Sequence, residues 1–170
     1  MNIRIIGAAL VICGGGMFGI LTAANYRREL SVLQSFFESL KTIEAELLYR
    51  KTPLPSLCRF VAQTQSGVIR SFYSELAAQL ESQICPGVQS CVQASIQKCR
   101  DIPGNTRKYL FELGKSLGQF DMHGQISEIQ YLQSLVAQTL TMMKNNQTVR
   151  IRSYQTLGLC AGAAIAILLI

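Results

Sequence analysis

The residues of this chain most able to do chemistry are one histidine, a pair of nearby carboxylates and six cysteines. His123 has no second histidine near it and no nucleophile motif, so we expect an exposed residue at the start of a helix. Glu44 and Glu46 stand two apart on a predicted helix, where side chains point to different faces. They cannot flank one substrate bond as an acid and base pair, so the sequence favours a protein that is not an enzyme.

The cysteines match neither a zinc site nor a redox pair in their spacing. Cys91 and Cys99 fall near one predicted helical stripe with Val88, Val92 and Ile96. Small, reduced core residues are therefore the favoured interpretation, and a disulfide or a bound metal is the alternative. We expect no metal and no cofactor.

Both ends of the chain are apolar and long enough to span a membrane. The chain is 49% hydrophobic and 15% charged, against about 25% charged in an ordinary soluble domain. The segments 5–24 and 153–170 contain no charged residue. At about 1.5 Å per residue they reach roughly 30 and 27 Å, close to the thickness of the hydrocarbon layer. We predict a transmembrane helix in each, with 27–152 as the polar domain between them.

Basic residues flank both apolar segments on the side of the polar domain, namely Arg27, Arg28, Lys144, Arg150 and Arg152. Because such residues stay on the cytoplasmic side of a membrane, we expect the domain to face the cytoplasm. The alternative is a signal peptide cleaved after Thr22-Ala23-Ala24. The long apolar run and the two arginines that follow it disfavour that interpretation.

The polar domain shows the three- and four-residue spacing of apolar side chains that is typical of amphipathic helices. On the first helix, predicted over 28–49, this stripe comprises Leu30, Leu33, Phe37, Leu40, Ile43 and Leu47. Thr52 and Pro53 are predicted to cap and begin the second helix. Gly118 is predicted to end the fifth, and Asp121 to cap a sixth that continues toward 153–170. The expected fold is all-α, a compact bundle of about six antiparallel helices between the two transmembrane helices.

Glu44 interrupts the apolar stripe of the first helix. A carboxylate in such a place must be paired, hydrogen-bonded or at the edge of the stripe. One interpretation is structural, with Glu44 binding a basic side chain or backbone N–H groups of a neighbouring helix. The other is functional, with Glu44 as a contact point for a partner protein.

The net charge of +6 does not indicate nucleic-acid binding. The basic residues are dispersed and no basic motif with interleaved aromatic residues accompanies them. Anionic lipid headgroups next to the two basic flanks account for much of the excess, so we expect a membrane and no nucleic acid among the partners.

Two segments resemble the stage III sporulation protein AB family. One is Ile43-Glu44-Ala45-Glu46-Leu47-Leu48-Tyr49 leading into Thr52-Pro53-Leu54. The other is Leu113-Gly114-Lys115-Ser116-Leu117-Gly118-Gln119-Phe120-Asp121, with Gln125 beyond it. The layout of an apolar segment at each end of a helical domain is also similar, so the resemblance covers essentially the whole chain. Arg50 stands where the family pattern has glycine.

The resemblance implies a place in the membrane complex that connects mother cell and forespore in endospore-forming bacteria. The domain of that family is similar to the cytoplasmic helical bundle of the type II secretion F protein, a platform component that meets a secretion ATPase. By this resemblance the chain is a platform subunit of the mother-cell membrane facing the forespore. Its implied partners are the motor ATPase, the other subunits of the channel complex and further copies of itself.

The resemblance also implies which positions to test for partner binding, namely Glu44, Glu46, Tyr49, Thr52, Pro53, Gly118, Asp121 and Gln125. The alternative function is a membrane-anchored sensor or scaffold that responds to lipid or redox state. A redox sensor requires its cysteines, whereas a platform subunit tolerates their replacement.

Overall fold

The computed structural model describes residues 2–50, 52–83, 86–117 and 122–169. These residues form helices and connecting turns, with no strand among them, so the predicted all-α class is confirmed. The helices are α1 Asn2–Tyr49, α2 Leu54–Thr64, α3 Gly67–Ser82, α4 Val88–Lys98, α5 Gly104–Ser116 and α6 Met122–Leu169.

The chain divides into two compact units. The first combines Met1–Leu30 with Thr141–Ile170, and the second is Ser31–Leu140. In the first unit the Tyr26 hydroxyl donates a hydrogen bond of 2.8 Å to the Met143 carbonyl oxygen, which ties α1 to α6 there. A single helix, α1, covers both the first apolar segment and the helix predicted over 28–49. No proline or glycine lies between residues 24 and 28 to interrupt its backbone hydrogen bonds.

Among the residues whose side chains are described, no helix has the length and hydropathy that crossing a bilayer requires. The segments 5–24 and 153–170 fall mostly on residues whose side chains lie outside that set. Both transmembrane helices therefore stay predictions.

In the second unit α2 packs on α3, α3 on α4, and α4 on α5. Short connections join these helices, and consecutive helices joined in this way run antiparallel. Two ion pairs bridge neighbours: Arg59 binds Glu81 between α2 and α3, and Lys98 Nζ lies 2.6 Å from Glu75 Oε1 between α4 and α3.

The face of α1 that enters this core is slightly rotated from the predicted one. Phe36 is fully buried, whereas Phe37 is half-buried and its ring lies under the Lys41 ammonium, 4.7 Å from the ring centroid. The spacing of three and four residues also admits Phe36, between Leu33 and Leu40, so either phenylalanine could have continued the stripe. The prediction of Phe37 was wrong in this detail.

A chain of hydrogen bonds runs through the core between α1 and α3. The Ser39 hydroxyl donates to the Phe36 carbonyl oxygen at 2.6 Å and lies 2.9 Å from the Tyr73 hydroxyl. Since Ser39 has a single proton to donate, Tyr73 is the donor in the second bond. Burial raises the pKa of Tyr73, despite the opposing hydrogen bond with Ser39.

Candidate functional site

The end of α1 and the start of α2 bring several predicted site residues together, and we call Glu44–Pro53 the α1–α2 corner. The predicted cap of α2 is absent. Pro53 itself occupies the N-cap position and makes no side-chain cap, while the Thr52 hydroxyl donates a 3.2 Å hydrogen bond to Glu46 Oε2. Thr52 therefore stabilises the corner through Glu46 and not through the helix backbone.

Glu44 is half-buried, and both of its carboxylate oxygens accept hydrogen bonds within the second unit. Its Oε1 accepts a hydrogen bond of 2.6 Å from Gln130 Nε2, and its Oε2 accepts one of 2.7 Å from Gln133 Nε2. The expected partners were a basic side chain or backbone N–H groups, and that expectation was wrong, since the donors are two side-chain amides on α6. Hydrogen bonds to an ionised acceptor are stronger than neutral ones, so Glu44 fastens α1 to α6.

Glu46 contacts residues of the turn between α1 and α2. Besides Thr52 it meets Arg50, with 3.6 Å between Arg50 Nη1 and Glu46 Oε1. The Arg50 backbone N–H also donates to the Glu46 carbonyl oxygen at 3.0 Å. Arg50 thus takes part in the turn through both its side chain and its backbone. Glu44 and Glu46 contact different residues, in line with the different helix faces that their spacing predicts.

The outer surface of the corner is apolar and exposed. Tyr49 is 86% exposed and Leu48 is 48% exposed. Pro53 is exposed beside them in the chain. The corner therefore has polar contacts on its inner side and apolar side chains available to a partner on its outer side.

Three predicted positions lie away from the corner in sequence. Gln125 is half-buried in the first turns of α6, where it takes part in an interaction. Gly118 and Asp121 lie outside the described residues, so their predicted roles as helix stop and helix cap are untested. The side chain of His123 is also outside them.

A different residue of the second resembling segment, Gly114, has a clear structural role. A Cβ at this position would lie 2.9 Å from Val92 Cγ1 and 3.0 Å from Val92 Cβ. Only glycine permits α5 to approach α4 this closely. The signal in the sequence was a glycine inside an otherwise regular helical pattern, which often marks close packing.

A groove between α5 and α6 was not anticipated from the sequence. It has a volume of about 430 Å³ and is lined by Glu112, Lys115, Ser116, Glu128, Tyr131, Leu132 and Leu135. We call it the α5–α6 groove. Tyr131 is 61% exposed on its wall, whereas Leu132 is only 3% exposed.

The described cysteines are free thiols, and Cys58 and Cys91 are buried. Burial raises the pKa of the Cys58 thiol to about 12, so it stays protonated and unreactive at neutral pH. Within the described part of the chain no cluster of histidine, cysteine or acidic residues could hold a metal ion. Cys13 and Cys85 lie outside the described side chains.

Comparisons with known proteins place this geometry in one family. The profile described as stage III sporulation protein AB matches residues 4–170. No curated protein matches the chain. A solved structure of stage III sporulation protein AB (SpoIIIAB) has the same fold, with a TM-score of 0.65 and 18% sequence identity, over 72% of this chain and 98% of the other. Because the family profile spans almost the entire sequence, the chain belongs to the stage III sporulation protein AB family.

Proposed function

We propose that the chain is a non-enzymatic platform subunit of the sporulation channel complex between mother cell and forespore. Its helical bundle docks the motor ATPase of that complex, and α6 passes the resulting movement toward the membrane. Membership of the family supports a role in the sporulation complex together with its other subunits. Docking and transmission are the further steps of the proposal.

The membrane part of the proposal rests on the sequence. The segments 5–24 and 153–170 have the length and the lack of charge of transmembrane helices, and basic residues flank both on the side of the bundle. The proposed location is the mother-cell membrane facing the forespore, with the bundle in the cytoplasm. A motor ATPase in the cytoplasm could then reach the bundle.

The observation that carries the proposal is the contact of Glu44 with Gln130 and Gln133. It joins the end of α1 to α6 through two short hydrogen bonds. Helix α6 then continues without interruption to Leu169, and no proline occurs within it. A partner that displaces the α1–α2 corner would therefore act on the helix that leads into the second apolar segment.

The test separates docking from transmission. The full-length chain, carrying an affinity tag, replaces the native copy in sporulating cells, and captured protein is probed with an antibody against the motor ATPase. We expect the wild-type chain and the Glu44→Ala variant to capture the ATPase equally, while the variant reduces the number of heat-resistant spores. Glu38→Ala is the matched control, because Glu38 is exposed on the same helix and its carboxylate accepts only a long hydrogen bond of 3.5 Å from Gln34 among the described residues.

Two results would contradict the proposal. If the wild-type chain captures no ATPase, the docking role is refuted. If Glu44→Ala leaves spore formation at the level of Glu38→Ala, the contact between α1 and α6 does not transmit movement. Membrane preparations from the same cells show whether each variant is present at the wild-type amount.

The alternative of a redox sensor receives little support from the described thiols. Cys58 and Cys91 are buried, and burial also raises the pKa of the half-buried Cys99 thiol. The exposed Cys160 lies in the segment 153–170, which we propose to be in the membrane. A sensor cysteine needs the opposite, an exposed thiol with a lowered pKa.

A further inference from the structure

We infer that the α5–α6 groove binds an amphipathic helix of the partner protein that carries a lysine or arginine beside its apolar face. The basic side chain pairs with Glu128, and the apolar side chains cover Tyr131 and Leu135. The inference rests on the proposed function in one respect, since it takes this helix to belong to the motor ATPase.

The first argument is the distribution of carboxylate contacts. Every other carboxylate whose side chain is described has a hydrogen bond, an ion pair or an electrostatic interaction within the chain. Glu128 alone among them has none with the residues that the structure describes. It is exposed on the rim of the groove, where an opposite charge from outside could reach it.

The second argument is the net charge of the groove. Lys115 Nζ lies 2.8 Å from Glu112 Oε1, so these two rim charges neutralise each other. Glu128 then leaves the groove with a net negative charge, in a chain whose overall charge is +6. A cationic segment is therefore attracted to the groove although the chain as a whole is positively charged.

The third argument is the floor of the groove. Ser116 is buried there, and its hydroxyl already donates to the Leu113 carbonyl oxygen at 3.0 Å. Leu132 and the half-buried Leu135 supply apolar surface. An apolar side chain that enters the groove covers leucine without leaving a polar group of the floor unpaired.

The fourth argument is the spacing along α6. Glu128, Tyr131, Leu132 and Leu135 follow one another at intervals of three, one and three residues, which puts them on one face of the helix. A stripe of this kind fits a second helix laid lengthwise in the groove, with anchors at similar intervals. Tyr131 is suited to be an anchor, because tyrosine is enriched among the few residues that supply most of the binding energy at protein interfaces.

The groove between α2 and α3 provides a contrast. It is lined by Arg59, Arg70 and Glu81 together with alanines and other small or polar residues. Arg59 pairs with Glu81, so Arg70 leaves this groove with a positive charge. A cationic helix would be repelled there, and Arg70 serves as a control position for charge changes outside the proposed site.

The experiment measures binding of the purified motor ATPase to the full-length chain in lipid nanodiscs, at low and at high salt. We expect Tyr131→Ala to weaken binding about tenfold or more. Glu128→Lys should weaken it about tenfold and Glu128→Gln about threefold. Glu38→Lys and Arg70→Gln should leave it unchanged. The Glu128→Gln variant should also lose part of the salt dependence, which a purely structural role would not affect.

A charge swap identifies the partner residue. Each lysine and arginine on exposed helices of the ATPase is replaced by glutamate, and each variant is tested against the Glu128→Lys chain. Restored binding by one of them supports the inference directly. Circular dichroism confirms that every groove variant is folded.

The contrary outcomes are distinct. If the wild-type chain binds the ATPase and the groove variants bind it equally well, the groove inference is wrong and the proposed function stands. If the wild-type chain does not bind the ATPase, both are wrong. If Glu128→Lys instead abolishes an association between copies of the chain, seen by mass measurement without ATPase, the occupant is a second copy and the inference is refuted.

Discussion

The α1–α2 corner and the α5–α6 groove use their carboxylates in opposite ways. At the corner both oxygens of Glu44 accept hydrogen bonds from α6. At the groove Glu128 reaches the surface with no partner among the described residues. A carboxylate that is already satisfied within the fold gains little from a ligand, whereas an unsatisfied one can gain a new ion pair. The contacts of Glu44 lie within the fold, whereas the inferred binding role of Glu128 needs a partner from outside it.

The buried hydroxyls also divide into groups with and without a hydrogen-bond partner. Ser39 and Tyr73 satisfy each other in the core, while Thr106 Oγ1 is buried with no hydrogen-bond partner among the described residues. The consequences of replacing a satisfied and an unsatisfied group differ in sign, which makes the comparison testable by stability measurements on the full-length chain in detergent.

The largest expected effect is a loss of stability at Gly114 in α5, the helix that forms one wall of the α5–α6 groove. Gly114→Ala should lower the free energy of unfolding by about 1–3 kcal/mol, since the new methyl group overlaps Val92. Thermal unfolding followed by circular dichroism measures it. Gly104→Ala is the matched control, because nothing lies within 4 Å of a Cβ at that position. The loss caused by Gly114→Ala should be smaller in a Val92→Ala background than in the wild-type background, and an equal loss in both would argue against the overlap.

The buried hydroxyls give the next largest effect. Ser39→Ala leaves the Tyr73 hydroxyl without its acceptor and should cost about 1–2 kcal/mol of stability. Thr106→Val replaces an unsatisfied hydroxyl by a methyl group of the same shape and should be neutral or stabilising. Chemical denaturation of both variants provides the measurement. A loss of stability in Thr106→Val equal to that of Ser39→Ala would remove the distinction between the two sites.

Replacement of Glu44 or Glu128 should have the third-largest effect on the free energy of unfolding. Glu44→Ala should lower the free energy of unfolding by about 1 kcal/mol, because two hydrogen bonds to a half-buried ionised acceptor are lost. Glu128→Ala should change it by less than about 0.5 kcal/mol, as expected for an exposed side chain without contacts. Equal effects in parallel unfolding curves would contradict the assignment of Glu44 to structure and of Glu128 to binding.

The smallest expected effect is a pH dependence. Hydrogen bonds from Gln79 and then from Lys98 lower the pKa of Glu75. The stabilisation by its ionised form is therefore present above the pKa of the unfolded chain and disappears as the pH falls through the lower pKa of the folded chain. Glu75→Gln should cost well under about 1 kcal/mol near neutral pH, since Lys98 is largely exposed. The difference from wild type should vanish in acid, and a difference that grew there would contradict the sign.

The local pattern of apolar residues was sufficient to predict the helical elements. The end of the first helix at Tyr49 and the start of the second next to Pro53 were placed correctly to within a residue or two. Such features depend on residues close in sequence, where spacing and helix breakers act directly. The choice of Phe37 over Phe36 failed because both lie near the same face of α1, and only packing against other helices distinguishes them.

The site was less predictable, for a physical reason. Glu44 was singled out correctly as a carboxylate that needed a partner, but Gln130 and Gln133 lie far along the chain, and nothing in the local pattern indicates them. In the sequence, Glu128 and Tyr131 have the pattern of an ordinary exposed helix face. Their significance comes from the position of α5 beside them, which is a property of the tertiary structure alone.

The burial of Cys58 gives the chain an internal reporter of its own opening. A protonated thiol enclosed by the core reacts with a coloured disulfide reagent only after the surrounding helices separate. The half-buried Cys99 should react sooner. The rate of the slow phase of colour development would then report how often the bundle opens when no partner is bound. The same measurement with a docked partner would show how far binding changes that frequency.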